Sequence, residues 1–158
     1  MEVYFGDYPT TEKKEHNDLF FVCSLIEYIG RKTKNHRDVV VNAIEAEKLT
    51  HLYDLADVYH CENINKVSDE LIKQYHIKTG EFDNVAEAKY SIPTHWDIGK
   101  VYKRLIIDVA REQNKAFIDA LIEVYNSWIS PKIEDFNSSV YYESPGYLYA
   151  SYNHGEML

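Results

Sequence analysis

The sequence has few of the residues that build special-purpose scaffolds. It contains 2 cysteines, 6 glycines and 4 prolines among 158 residues, which excludes a disulfide framework and a glycine-rich phosphate loop. Basic residues are also scarce, 17 against 26 acidic ones, for a formal net charge of −9. Because non-specific nucleic-acid binding draws its free energy from phosphate neutralisation, this charge argues against it.

Long apolar runs and chemical motifs are missing as well. No run approaches the ~20 apolar residues of a membrane span, and the first ten residues lack the pattern of a signal peptide. No zinc-type spacing and no nucleophile elbow occurs. Cys23 and Cys61 lie in apolar helical surroundings, which predicts buried free thiols. We therefore expect a cytoplasmic protein without membrane contact, metal, cofactor or catalytic residues, and lean towards a protein that is not an enzyme.

Apolar side chains recur three and four positions apart along most of the chain, which is the spacing of amphipathic helices. The predicted helices cover about residues 11–32, 37–47, 51–59, 64–75, 95–109, 115–129 and 145–152. Expected helix starts are Thr50, Asn63, a Thr94–Asp97 capping box, and Ser144 followed by Pro145. Pro131 is expected to prevent the sixth helix from continuing.

The predicted fold is all-α, a compact bundle of about six to eight helices. Only Val3–Phe5 and Val140–Tyr142 could alternate with period two, so the sequence allows at most a short two-stranded ribbon. Residues 1–80 and 81–158 form two predicted helical units of one compact domain. An irregular connection over Glu81–Pro93 joins them.

The two predicted units share short stretches of similar sequence. The echoes pair Leu25–Lys32 with Leu105–Glu112, Asp38–Val41 with Asp119–Ile122, and Val58–His60 with Val140–Tyr142, at offsets of 80, 81 and 82 positions. A slowly drifting offset is typical of a duplicated unit with one-residue insertions. Amphipathic helices also share apolar spacing by chance, so the sequence leaves both origins open.

Aromatic residues are concentrated near the end of the chain, which holds a large share of the 14 tyrosines. The candidate interaction surface consists of Tyr125, Trp128, Tyr141, Tyr142, Tyr147, Tyr149 and Tyr152. Aromatic rings with polar tips suit a surface that is dry when bound and wet when free. The alternative is that they fill the space between the two units with their hydroxyls outward. A homodimer interface would satisfy both interpretations.

The only concentrated positive segment supplies a second hypothesis, a DNA-binding regulator. Arg31, Lys34 and Arg37 would contact phosphates from the turn of a helix-turn-helix. The following helix carries Asp38 and Glu45, which phosphates repel, and a solvated helix end accounts for the same residues. Nucleic acid is therefore an unfavoured partner.

A third hypothesis is an enzyme or ligand-binding protein with a pocket between the units, lined by Tyr102, Trp128 and the histidines. His60, Cys61 and Glu62 form the densest set of reactive groups. Adjacent residues of a helix point in different directions, so these three do not converge on a metal ion or on a nucleophile.

Parts of both units resemble small bacterial helical domains that are encoded in operons beside ADP-ribosyltransferase-like proteins. The first unit is similar to one such family through Leu25–Gly30 and Tyr59–Glu62. The second is similar to another through Tyr125–Ser127 and Val140–Leu148. The resemblance implies a regulatory or antitoxin-like protein and transfers no catalytic residue. The leading hypothesis is thus a non-enzymatic module that binds another protein, encoded nearby.

Overall fold

The structure, a computed structural model, describes residues 13–158. Within that range the chain forms eight α-helices, one short 3₁₀ helix and no strand, which confirms the predicted all-α bundle. The helices are α1 (Lys14–Thr33), α2 (Arg37–Asp54), α3 (Ala56–Tyr59), α4 (Ile64–Gln74), α5 (His95–Gln113), α6 (Phe117–Tyr125), α7 (Ile129–Ile133) and α8 (Pro145–His154), and the 3₁₀ helix is Val140–Tyr142.

Helices α1 and α5 form the centre of the bundle and make the most extensive contact in it. They run antiparallel, because the C-terminal part of α1 lies beside the start of α5: Tyr28 contacts His95 with ring centroids 5.0 Å apart. At the crossing, Gly99 sits directly on Ser24, where a Cβ atom would come within 2.9 Å of the Ser24 backbone. A glycine is therefore required for the two helices to approach this closely.

The other helices contact α1 and α5 in corresponding ways. Helix α2 packs on α1 and α6 packs on α5, and α2 and α6 pack on each other. Asn42 and Asn126 join α2 to α6 by a reciprocal pair of amide hydrogen bonds, 2.8 and 3.0 Å long. Helices α3 and α4 lie against α1, whereas the 3₁₀ helix and α8 lie against α5.

The turn after each central helix has the same conformation. Lys34 and Asn114, 80 positions apart, both adopt the left-handed region, with φ of 58° and 52°. In each turn the next N–H donates back to the helix, from Asn35 to the Gly30 carbonyl at 3.1 Å and from Lys115 to the Ala110 carbonyl at 3.0 Å. The buried residues Val40, Val41 and Ile44 match Ala120, Leu121 and Val124 at the same offset. This offset of 80 differs from the offset of 81 between Asp38 and Asp119 in the sequence comparison.

Three of the four expected helix starts are confirmed. Asn63 and Ser144 cap α4 and α8, and Thr94 and Asp97 form the capping box of α5. The Thr50 prediction is wrong, because this residue lies inside α2. Pro131 does not end a helix either, since it lies in the first turn of α7, where a missing N–H costs nothing.

The structure corrects two predictions, the strand at Val140–Tyr142 and the burial of Cys61. Val140–Tyr142 is a 3₁₀ helix rather than a strand, and Val3–Phe5 lies outside the described residues. Cys23 is buried, and burial raises its thiol pKa to about 12. Cys61 is exposed, because α3 ends two residues before it and the chain there turns outward.

Helix α2 is interrupted at Glu45, whose backbone has φ 71° and ψ 167°. This region is almost restricted to glycine and costs other residues about 1 to 3 kcal/mol. The break at Glu45 lies 80 positions before Tyr125, the last residue of α6. The first segment of α2 and the whole of α6 therefore end at matching positions. The exposed Glu45 side chain makes the strain easy to test.

Glu45→Gly is expected to stabilise the protein by about 1 kcal/mol, because glycine relieves the strain at a smaller cost in chain entropy. Urea denaturation measures the shift in midpoint. Glu45→Ala is the matched control and should bring no such gain, because alanine keeps the Cβ atom. A destabilised glycine variant would contradict the strained conformation.

Candidate functional site

The seven aromatic residues of the predicted interaction surface do not share one environment. Tyr125 is 1% exposed, so it belongs to the core and not to the surface. Its ring stacks on Tyr102 with centroids 4.0 Å apart, and its hydroxyl faces the thiol of Cys23. Burial raises the pKa of both tyrosines well above the usual range. This part of the prediction is wrong, because Tyr125 lies inside the hydrophobic core.

Four of the seven are half-buried: Trp128 at the start of α7, and Tyr147, Tyr149 and Tyr152 on α8. Tyr152 donates a hydrogen bond from its hydroxyl to Glu123, and Tyr147 donates one to the Leu158 carbonyl. Burial, and then Glu123, raises the pKa of Tyr152. Tyr152 thus ties α8 to α6, and Tyr147 ties the end of the chain to α8, with part of each ring exposed to solvent.

Tyr141 and Tyr142 stand apart from the others, since they form the wall of a groove. Tyr142 is 69% exposed, and its ring meets that of Tyr141 edge-on at 5.0 Å. Tyr141 is held from behind by Phe136, 5.7 Å away. The groove has a volume of about 120 Å³, and Val101, Leu105 and Leu148 line its apolar part.

This narrow groove continues into a wider one along α5. Arg104 and Pro145 line both parts, and the wide part, of about 540 Å³, also includes Ile107 and Asp108. We call the two parts together the α5 groove. Val101, Arg104, Leu105 and Asp108 follow helical spacing, so one face of α5 forms its length. The groove combines an exposed aromatic wall, an apolar depression and charged residues, which suits the binding of a polypeptide segment.

The two arginines of the basic segment are engaged inside the protein, whereas its lysines and His36 are exposed. The Arg37 side chain is 0% exposed and that of Glu27 is 1% exposed. Arg37 donates two hydrogen bonds to this carboxylate, each 2.9 Å long. Arg31 donates a third, at 2.8 Å, and another to the Pro93 carbonyl at 2.7 Å. Burial alone would lower the pKa of Arg37, but Glu27 outweighs this and raises it.

A second buried carboxylate, Glu134, completes the network from the other unit. It accepts hydrogen bonds from the Arg37 backbone N–H at 2.8 Å and contacts His36 Nδ1 at 2.7 Å. Asn84 of the connecting segment bonds both the Arg37 guanidinium and the Glu134 carbonyl. Burial raises the pKa of Glu134, and the hydrogen bonds from His36 and Arg37 offset part of that effect. We call these residues, with Glu27 and Arg31, the polar clasp.

The polar clasp depends on Gly30. A Cβ atom at this position would lie 2.3 Å from Arg37 Cδ and 2.6 Å from its Nε. Glycine at this position is therefore matched to the buried arginine. In the sequence, the only sign of the polar clasp was Gly30 followed directly by the basic residues of the turn.

The DNA-binding hypothesis loses two of its three contacts to this arrangement. Arg31 and Arg37 are bound by Glu27, and Lys34, half-exposed, lies 3.9 Å from Asp83. Of these three residues, only Lys34 has an exposed side chain that a phosphate backbone could reach. In the described structure, this turn connects α1 and α2 to Glu134 at the end of α7.

The hypothesis of a pocket placed Tyr102 on the wall of a cavity, but the structure buries this residue. Tyr102 is 0% exposed and its hydroxyl shares a 2.6 Å hydrogen bond with Ser130. Among residues 13–158, no three His, Cys, Asp or Glu side chains are grouped so that they could hold a metal ion. His60, Cys61 and Glu62 are no exception. No helix in this range is long and apolar enough to cross a membrane.

Comparisons with protein-family models, with curated proteins and with solved structures found no match.

Proposed function

We propose that this protein is a non-enzymatic interaction module, adaptor-like or antitoxin-like, that binds another protein in the bacterial cytoplasm through its aromatic C-terminal region. The observation that carries the proposal is the α5 groove with Tyr142 exposed on its wall. Tyr142 differs from other exposed aromatic residues because it adjoins Val101 and Tyr141 in one groove, so a partner could bury these apolar surfaces together.

The composition of the groove supports a protein partner. Tyrosine and arginine are enriched at the energetic centres of interfaces, and Tyr142 and Arg104 line the same narrow groove. Phe136 holds Tyr141 in place, so the wall is ordered before a partner arrives. Preorganised side chains lose little conformational entropy on binding.

The arrangement of the helices supports a scaffold. The order of elements is similar in the two units, and each unit places a short helix and a longer one against its own central helix. We include an internal duplication in the proposal: two helical hairpins of common origin, of which the second has gained the aromatic groove. The resemblance to small bacterial domains supports a partner encoded nearby, and a second copy of the chain is the alternative.

The proposal is tested by capture from the native host with the wild-type protein and two variants. Tyr142→Glu places a charge on the wall of the groove and is expected to weaken capture by at least about tenfold, the effect of a moderate interface residue. Tyr90→Glu is the matched control, because Tyr90 is 71% exposed and lines neither part of the groove.

The expected result is a protein retained by the wild type and by Tyr90→Glu but lost by Tyr142→Glu, with circular dichroism unchanged in all three. Equal retention by both variants would refute the surface. Turnover of a small metabolite by the pure protein, with no protein captured, would refute the whole proposal.

A further inference from the structure

Arg104 occupies the point at which the narrow and wide parts of the α5 groove meet. Its side chain is exposed, and it makes no hydrogen bond, ion pair or ring contact in the part of the chain that the structure describes. Other arginines of the protein are engaged: Arg31 and Arg37 by Glu27, and Arg111 by Asp108. A guanidinium left open in a groove is a ready donor for an anionic group.

The acidic residues of the groove are engaged elsewhere. Asp108 accepts a 2.6 Å hydrogen bond from Arg111, and Glu143 accepts a 2.8 Å hydrogen bond from Ser139. Asp108 is thus already paired with a cation, whereas Arg104 is an exposed cation of the groove without such a partner among the described residues.

The groove pairs this positive charge with an apolar depression one helical turn away. Val101 lies one helical turn before Arg104 on α5, so the two side chains are neighbours on the helix surface. Tyr141, Tyr142 and Pro145 also line the depression, whereas Leu105 and Leu148 are almost fully buried. An occupant can therefore reach Arg104 and the apolar depression at once.

We propose that the α5 groove receives a segment of the partner protein that sets an Asp or Glu carboxylate against Arg104 and an apolar side chain against Val101, Tyr141 and Tyr142. This inference rests on the proposed function and names the chemistry of its partner. A carboxylate matches the planar fork of arginine with two parallel hydrogen bonds. A nucleic acid or lipid surface would instead bring many anions against a chain of net charge −9, which repels them.

Three substitutions of Arg104 test the inference in the capture assay. Arg104→Met keeps the length of the side chain and removes its charge, and we expect capture to fall at least about tenfold. Arg104→Lys keeps the charge but loses the fork, so it should retain part of the binding. Arg104→Glu should abolish capture. Raising the salt concentration should weaken the wild type more than Arg104→Met.

A charge exchange identifies the chemical group on the partner. The captured protein is identified by mass spectrometry, and each of its exposed carboxylates near the contact is replaced by lysine. One such replacement should restore binding to Arg104→Glu while it weakens binding to the wild type. Restoration by none of them, or capture that survives only without nuclease treatment, would overturn the inference.

The outcomes separate this inference from the proposed function. Loss of capture by Tyr142→Glu with full retention by Arg104→Met would overturn the carboxylate and leave the proposed function in place. Retention by both variants, or no capture by the wild type, would overturn both.

Discussion

Glu27→Leu is expected to destabilise the fold by about 3 to 5 kcal/mol, because it leaves a buried guanidinium without its carboxylate. Arg37 is 0% exposed and cannot lose its proton at ordinary pH. Its remaining partners are the Asn35 carbonyl and the Asn84 side chain, which are neutral. Equilibrium unfolding in urea measures the loss.

The double variant Glu27→Leu with Arg37→Leu should recover much of that stability, because no unpaired charge then stays buried in the pair. Asp69→Ala is the control, since it removes a surface ion pair with Lys32 and should cost no more than about 1 kcal/mol. If Glu27→Leu were as stable as the Asp69→Ala control, Glu27 and Arg37 would not be buried together.

Gly99→Ala is the second substitution with a large expected effect, a loss of about 2 kcal/mol or more. The new Cβ atom would lie 2.9 Å from both Cα and N of Ser24, so α1 and α5 would have to separate. Overpacking of this kind costs about 1 to 3 kcal/mol, occasionally more, and the higher helix propensity of alanine returns about 1 kcal/mol of it. Because the obstacle is backbone, we expect the upper part of that range.

The matched control for Gly99→Ala is Gly146→Ala. Gly146 lies in α8 with no atom near enough to meet a Cβ, so alanine there should be neutral or stabilising by up to about 1 kcal/mol. Ser24→Ala combined with Gly99→Ala should recover only part of the loss, because the contact with the Ser24 backbone persists. Complete recovery, or a stable single variant, would contradict the close crossing.

Much of the fold could be predicted because helices leave local signals. The spacing of apolar residues locates the helices, and Thr94, Asn63 and Ser144 mark starts because a capping side chain bonds the backbone two or three residues on. Glu45 could not be predicted, since no glycine or proline marks the break in α2.

The candidate site was predicted only in part. Tyr141 and Tyr142 were among the expected residues, but Arg104 was missed because its significance comes from elements distant in sequence, the 3₁₀ helix and the start of α8. Arg37 was misplaced for the same kind of reason. A charged residue predicts exposure unless its partner is known, and Glu27 reaches Arg37 across the turn between α1 and α2.

A photoreactive phenylalanine analogue at position 142, introduced in the native host, tests most directly whether a partner docks on the α5 groove. The same analogue at position 90 is the control, because Tyr142 and Tyr90 are similarly exposed, at 69% and 71%. We expect illumination to give one discrete heavier adduct from position 142 and none from position 90. No adduct from position 142, or the same adducts from both positions, would contradict the proposed interface.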